Sequence, residues 1–348
     1  MSIERLKISE NILRKGSFVK KFLAKLRYRL SYYPEIVAII SFVLFFIFFA
    51  TAAENFLSLL SLTNIVSLAS IKGIMVVGVA ILMISGEFDL SVGSILGVAS
   101  YVFAITILEG VPAILAMFLA LVVSALLGLI NGLIVVRTKI PSFIATLGTM
   151  LAYRGVARAL GRGDYARYVA EGRLFLFDLL NGDMTVINNL SEQTGNLRSG
   201  VFWFIGFVII ASIIMNRTRY GNWVYATGGN RAAALAQGVK TNSIVIWNFI
   251  LTGLLSGFAG VMGFAWRMVV DPRRGQGFEL ITVAACVIGG IWMRGGYGKI
   301  LGAVMGILLL SMVEQGLVLM GVSVELFQAA VGLILIVAVV VSTYISKS

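Results

Sequence analysis

Residues 113–136 read AILAMFLALVVSALLGLINGLIVV, a run without a charged residue in which Ser124 and Asn131 are the polar side chains. About 20 apolar residues in a helix cross the hydrocarbon core of a bilayer, and within it only helices and closed barrels satisfy their own backbone groups. The same reading extends outward along the chain. Comparable runs cover 36–53, 65–85, 92–108, 143–160, 200–215, 244–266, 280–292, 300–320 and 326–345. The pattern predicts an all-α polytopic membrane protein of about ten transmembrane helices. The runs at 200–215 and 280–292 are short, so either is expected to be broken or re-entrant.

Composition agrees. Of 348 residues 59% are hydrophobic, and the mean hydropathy is +0.97. The net charge of +12 does not point to nucleic acid, because the basic residues gather in the N-terminal tail and in particular loops. Residues 1–33 form a basic tail, expected to lie on the cytoplasmic lipid surface; without an apolar core or cleavage site it does not read as a signal peptide. Residues 34–348 make up the transmembrane domain. Histidine is absent, which excludes Ser-His-Asp catalysis and His-based metal sites. Cys286 stands alone in an apolar run, so no intrachain disulfide forms.

Orientation follows from the positive-inside rule. With the tail inside, ten crossings place both termini in the cytoplasm. The inner loops then carry Arg137, Lys139, Arg217, Arg219, Arg231, Lys240, Arg294 and Lys299, whereas the outer segments 53–64 and 109–112 carry no Lys or Arg. The long outer loop, 161–199, departs from the rule with Arg162, Arg167, Arg173 and Arg198. Arg267, Arg273 and Arg274 face the same side. Together these arginines predict a basic external surface suited to carboxylates of a docking protein.

One stretch does not fit a membrane span. Residues 228–243, GGNRAAALAQGVKTNS, predict a short helix of good helix formers from Arg231 to Gln237, capped by Asn230 and ended by Gly238. Two turns are not stable alone in water, and this segment is mostly Ala and Leu. On this topology it lies in the cytoplasm and needs a surface to dock against.

Polar residues in or beside the spans are candidates for a solute path: Asp89, Ser91, Asn131, Thr146, Thr149, Glu314 and Gln315. Asp89 or Ser91 is also placed to cap the helix that begins at Val92. Glu87 and Asp89, two residues apart in a loop, do not make the opposed carboxylates of a glycosidase. The glycine pairs Gly253/Gly257 and Gly302/Gly306 suit close helix packing, within the chain or between copies. GSILG at 93–97 and GKILG at 298–302 form a faint internal echo. Gly295-Gly-Tyr-Gly-Lys299 is not a phosphate loop, because Ile300 stands where Ser or Thr is needed and no strand precedes it. The chain therefore carries no nucleotide site of its own.

Several stretches, taken in order, resemble the membrane permease subunit of bacterial ATP-binding-cassette importers for ribose, xylose and related monosaccharides. They are Asp89-Leu-Ser-Val-Gly93, Pro141-Ser-Phe-Ile-Ala-Thr-Leu147 with Tyr153-Arg-Gly155, Tyr225-Ala-Thr-Gly-Gly-Asn230 with Ala232-Ala233 and Gly238, Gly275-Gln-Gly-Phe-Glu-Leu280, and Gly289-Gly290 with Gly295-Gly-Tyr-Gly298. The resemblance implies a type II importer-like permease of ten helices in the inner membrane, paired with a second permease copy. It implies ATPase subunits that hold ATP and Mg, an external sugar-binding protein, and alternating access. Gly229, Asn230, Arg231, Ala232, Ala233 and Gly238 fall in the family's coupling helix, which docks on the ATPase. Arg231 stands where the family has an acidic residue, which predicts an acidic partner on the ATPase. The sugar-path and docking residues above are what this scheme would use. The competing expectations are a nucleoside permease of the same superfamily and an ion-driven secondary transporter; an intramembrane enzyme lacks any recognisable nucleophile–base pair.

Overall fold

The computed structural model describes residues 35–169, 174–190, 194–323 and most of 326–336. The basic tail, Arg173 and most of the expected span 326–345 lie outside the described residues. The described chain is built on helices. In order these are α1 (Glu35–Ala52), α2 (Leu59–Ile84), α3 (Val92–Leu108), α4 (Ala113–Thr138), α5 (Ser142–Leu160), α6 (Phe175–Asn181), α7 (Thr185–Asn188), α8 (Gly200–Arg217), α9 (Arg219–Gly229), α10 (Arg231–Ala236), α11 (Thr241–Arg267), α12 (Phe278–Ile288) and α13 (Ile300–Leu319). Two short strands, β1 (Ala166–Arg167) and β2 (Val269–Val270), pair antiparallel. Among the described residues five helices, α2, α4, α8, α11 and α13, are long and apolar enough to cross a membrane.

Helix α2 is the axis of the bundle. It is apolar on all sides, and it is buried from Ser70 through Ile84. A helix of that kind is stable only when other helices surround it. Here α8, α11, α12 and α13 do so. Helix α2 begins at Leu59, well ahead of the expected Ile65, because the Ser58 side chain caps it by accepting from Ser61 N–H. Helix α4 lies at the edge and buries one stripe, Ala116, Ala120, Ser124, Gly128, Asn131, Gly132 and Val135. The seam between α4 and α11 is made of small residues. A side chain at Gly253 would reach to 2.5 Å from the Ser124 carbonyl, and one at Gly257 to 2.1 Å from Ser124 Oγ. Gly302 and Gly306 likewise lie against Gly289 and Ala285 of the α12 segment. Both glycine pairs are thus used for packing inside the chain.

Of the two short runs, 200–215 lies in one continuous helix, α8, and is not interrupted, whereas 280–292 is. Helix α12 runs only to Ile288, four residues before the expected Trp292. Gly290 there is left-handed, with φ +84°, and Ile291 N–H closes back on the Cys286 carbonyl while Gly290 N–H takes that of Val287. That pair of bonds ends a helix. The described residues of 161–199 are folded: α6 and α7 lie against the bundle, Phe177 packs among Phe103, Tyr168 and Phe264, and Asn196 bonds to Thr63 and Asn64 of α2.

Candidate functional site

The stretches singled out in the sequence lie far apart in the chain, and the fold brings several of them to one end of the bundle, where α2 stops. The loop at 85–91 is their meeting point. Ile84 O accepts from Gly296 N–H at 2.8 Å, and Gly228 at the end of α9 packs directly on both. A Cβ at Gly228 would stand 1.9 Å from the Ile84 oxygen, so no other residue fits there. Tyr225 OH donates to the Gly298 carbonyl at 2.8 Å, and Tyr220 OH to Asn248 Oδ1 at 2.6 Å. Burial raises both phenols, Tyr220 to about 12, so they stay neutral donors.

The same loop is held from its other side by the start of α5. Phe88 N–H donates to Ser142 Oγ at 3.0 Å and Leu90 N–H to Thr146 Oγ1 at 3.1 Å. Asp89 Oδ1 accepts from both the N–H and the hydroxyl of Ser91, each at 2.7 Å. Ser91 occupies the N-cap position of α3, but its hydroxyl makes no capping bond; the acceptor at this helix start is Asp89. Asn131 Nδ2 donates to Ser91 Oγ at 2.7 Å and to Asp89 Oδ2 at 3.2 Å, and Tyr153 OH donates to Asn131 Oδ1 at 3.0 Å. Asp89, Ser91, Asn131 and Thr146 are fully buried. Four of the expected path residues thus form one closed network that ties α3, α4 and α5 to the loop, and within this chain they open onto no surface.

The others lie elsewhere. Thr149 is partly buried on α5 and donates to the Thr146 carbonyl of its own helix. Gln315 and Glu314 are on α13, and Glu314 pairs with Lys72 in the middle of α2. Lys72 also stands 5.3 Å from the ring centre of Phe278 and 5.8 Å from that of Phe327. Phe278 begins α12, and the next residue, Glu279, pairs with Arg154 of α5 at 3.0 Å. The entry to α12 is therefore clamped by charge on both sides. Gly275, with φ +81°, lets the preceding turn press against Gly93, where a side chain would stand 2.2 Å from the Gly275 carbonyl. Lys72, Arg154 and Glu279 are not among the path candidates of the sequence. The signal was present, since a charge inside an apolar run is costly unless paired; the pairing itself is tertiary.

The short helix α10 has the capping residues read from the sequence and ends at Ala236, one residue before the expected Gln237. Asn230 Oδ1 accepts from Ala233 N–H at 3.0 Å, and Gly238 is left-handed, with φ +82°. Ala234 is buried, whereas Ala232, Ala233, Leu235 and Ala236 are exposed. Arg231 finds its acid within the chain: Nη1 lies 3.0 Å from Glu87 Oε1, and Nη2 donates to Asn242 Oδ1 at 3.0 Å. Helix α9 just before it had no counterpart in the sequence reading, because Gly, Asn, Val and Thr are weak helix formers. Thr218 caps it by accepting from Gly221 N–H.

At the opposite end of the bundle the β1–β2 pair places Arg167 beside Val269, two residues from Arg267. Arg162, Arg167, Arg267 and Arg273 are exposed there, and Arg267 stacks on Trp266 at 5.0 Å. Arg274 is turned inward: its guanidinium lies over Gly263 of α11, so it adds little open charge to that surface.

A bundle of long apolar helices enclosing paired charges defines a multi-pass membrane protein. The chain belongs to the family described as branched-chain amino acid transport system / permease component, which matches residues 61–339. It is similar to the ribose import permease of Escherichia coli K12, with 34% identity over 78% of this chain and 81% of that protein. The ribose import permease of Bacillus subtilis 168 is 31% identical over 77% of this chain and 80% of its own length. The autoinducer 2 import system permease of Yersinia enterocolitica is 31% identical over 71% of this chain and 65% of that protein. No solved structure matches.

Proposed function

We propose that this chain is the permease subunit of an ATP-driven importer that carries a monosaccharide (a pentose, hexose or polyol) across the bacterial inner membrane. The observation that carries this reading is α10: a capped, six-residue helix whose Ala232, Ala233, Leu235 and Ala236 are exposed. Such a face needs a partner surface, and the partner proposed is an ATPase subunit in the cytoplasm, where ATP and Mg are held. The sugar follows from the relatives, two of them named for ribose import. The topology of this reading has both termini inside and residues 161–199 outside. There the exposed Arg162, Arg167, Arg267 and Arg273 receive an external binding protein.

In this reading the second permease copy packs on α5. This helix is 19 residues long and is not among the five apolar enough to cross alone. Its outward face carries Gly148, Ala152, Gly155 and Ala159, with open space beside both glycines. Small residues there let a partner helix approach closely, and the sugar's path runs between the two copies, near Thr149. ATP binding draws the ATPase pair together, the docked α10 helices move, and the two permeases open alternately to either side.

The test is uptake of radiolabelled ribose and xylose by proteoliposomes holding the permease with its co-expressed ATPase and binding protein. Uptake that requires internal ATP and external binding protein is expected. Uptake that follows a proton or sodium gradient without ATP overturns the reading, and uptake of a nucleoside alone moves the substrate to the other class.

A further inference from the structure

We infer that the Arg231–Glu87 ion pair is the link that carries movement of α10 into the membrane helices; this rests on the importer reading above. Helix α10 has one buried residue, Ala234, and is flanked by Gly229 and the left-handed Gly238. A helix so small and so lightly packed would swing without dragging the bundle. Arg231 prevents this by holding two elements at once. Its Nη1 meets Glu87 Oε1 in the loop between α2 and α3, and its Nη2 meets Asn242 Oδ1 in the first turn of α11, each at 3.0 Å.

The Glu87 end is anchored in turn. The next residues, Phe88 through Ser91, are fixed by Ser142, Thr146 and Asn131 on α5 and α4. A displacement of α10 therefore pulls on a loop that cannot yield alone and passes to α3, α4 and α5. The Arg231 side chain is 40% exposed and that of Glu87 12%. Water reaches the guanidinium end and screens the pair, which limits its contribution to stability, so its value lies chiefly in direction of force. It also accounts for a basic residue at this position: the acid it needs is Glu87, within the chain, and not on the ATPase.

Arg231 and Glu87 are positioning residues, and the test separates transmission from docking and folding. The full permease–ATPase complex is reconstituted with Glu87→Arg, with the milder Glu87→Gln, and with the swap Glu87→Arg/Arg231→Glu. Both single variants are expected to assemble with the ATPase and to hydrolyse ATP, while ribose uptake per ATP falls by about tenfold for Glu87→Arg and less for Glu87→Gln. The swap is expected to restore most of that ratio. Hydrogen–deuterium exchange of residues 228–243 in the permease alone should rise in Glu87→Arg and return in the swap. Parent-like uptake per ATP in both single variants overturns the inference, as does parallel loss of hydrolysis and uptake without rescue by the swap. If the unaltered complex shows no ATP-driven uptake, the importer reading fails and transmission with it; the exchange measurement then still reports whether the pair holds α10.

Discussion

Glu279 and Arg154, 125 residues apart in the chain, pair at 3.0 Å and join the entry of the broken helix α12 to α5. The Glu279 side chain is 9% exposed and that of Arg154 19%. Removing one member of a buried pair strands the other charge, at a cost of about 3–5 kcal/mol. Glu279→Ala is therefore expected to lower the thermal unfolding midpoint of the detergent-purified permease sharply. The double variant Glu279→Leu/Arg154→Met should recover most of the loss. Equal midpoints for Glu279→Ala and the parent would show that the pair does not hold α12.

Thr146 offers a finer probe of the loop at 85–91. Its hydroxyl receives the Leu90 N–H, so Thr146→Val leaves a buried donor without a partner. The expected cost is about 1–3 kcal/mol, whereas Thr146→Ser keeps the hydroxyl and should cost much less. Unfolding of the two variants side by side checks this, and a Val variant as stable as the Ser variant would refute it.

Gly228→Ala is expected to abolish accumulation of folded permease, since its methyl group would stand 1.9 Å from the Ile84 carbonyl oxygen, a backbone atom. Gly206→Ala on α8 is the control, because nothing lies within 4 Å of that position. There the substitution should be neutral or stabilising by up to about 1 kcal/mol, the helix-propensity gain. Size-exclusion profiles of both variants decide the matter.

Ala233→Asp puts a charge on the open face of α10 without disturbing its caps. Membrane insertion is expected to remain, while the ATPase co-purifying with the permease falls by roughly tenfold, a desolvated charge in an apolar contact being costly. An unchanged yield of ATPase would remove α10 as the docking element.

The outer arginines divide into two kinds. Arg273 is exposed, and Arg273→Glu should weaken stimulation of ATP hydrolysis by the binding protein without altering stability. Arg274 packs over Gly263, so Arg274→Glu should lower the unfolding midpoint as well. The difference between Arg273→Glu and the parent is expected to shrink as ionic strength rises, since salt screens an exposed docking contact. Stimulation indifferent to Arg273→Glu leaves that residue merely solvated.

What the sequence determined by itself was whatever depends on local pattern. The apolar runs marked both ends of α3, the start of α8 and the end of α5, because length and hydropathy alone decide whether a helix suits a bilayer. The caps of α10 were legible for the same reason: Asn230 and Gly238 act on backbone groups within four residues. The tertiary structure decided the partners. Lys72 is visible as a charge in an apolar run, but Glu314, 242 positions later, is known only once α2 and α13 pack. Arg231 looked like a misplaced charge awaiting an acid on another protein, until folding brought Glu87 to it across 144 residues. Helix α9 and the position of the turn that ends α12 at Ile288 are not legible in the sequence, because neighbouring glycines and loops, not propensity, stabilise them. Local hydrogen bonds and burial in lipid are written along the chain; the pairing of buried charges is a long-range term that only the assembled bundle can select.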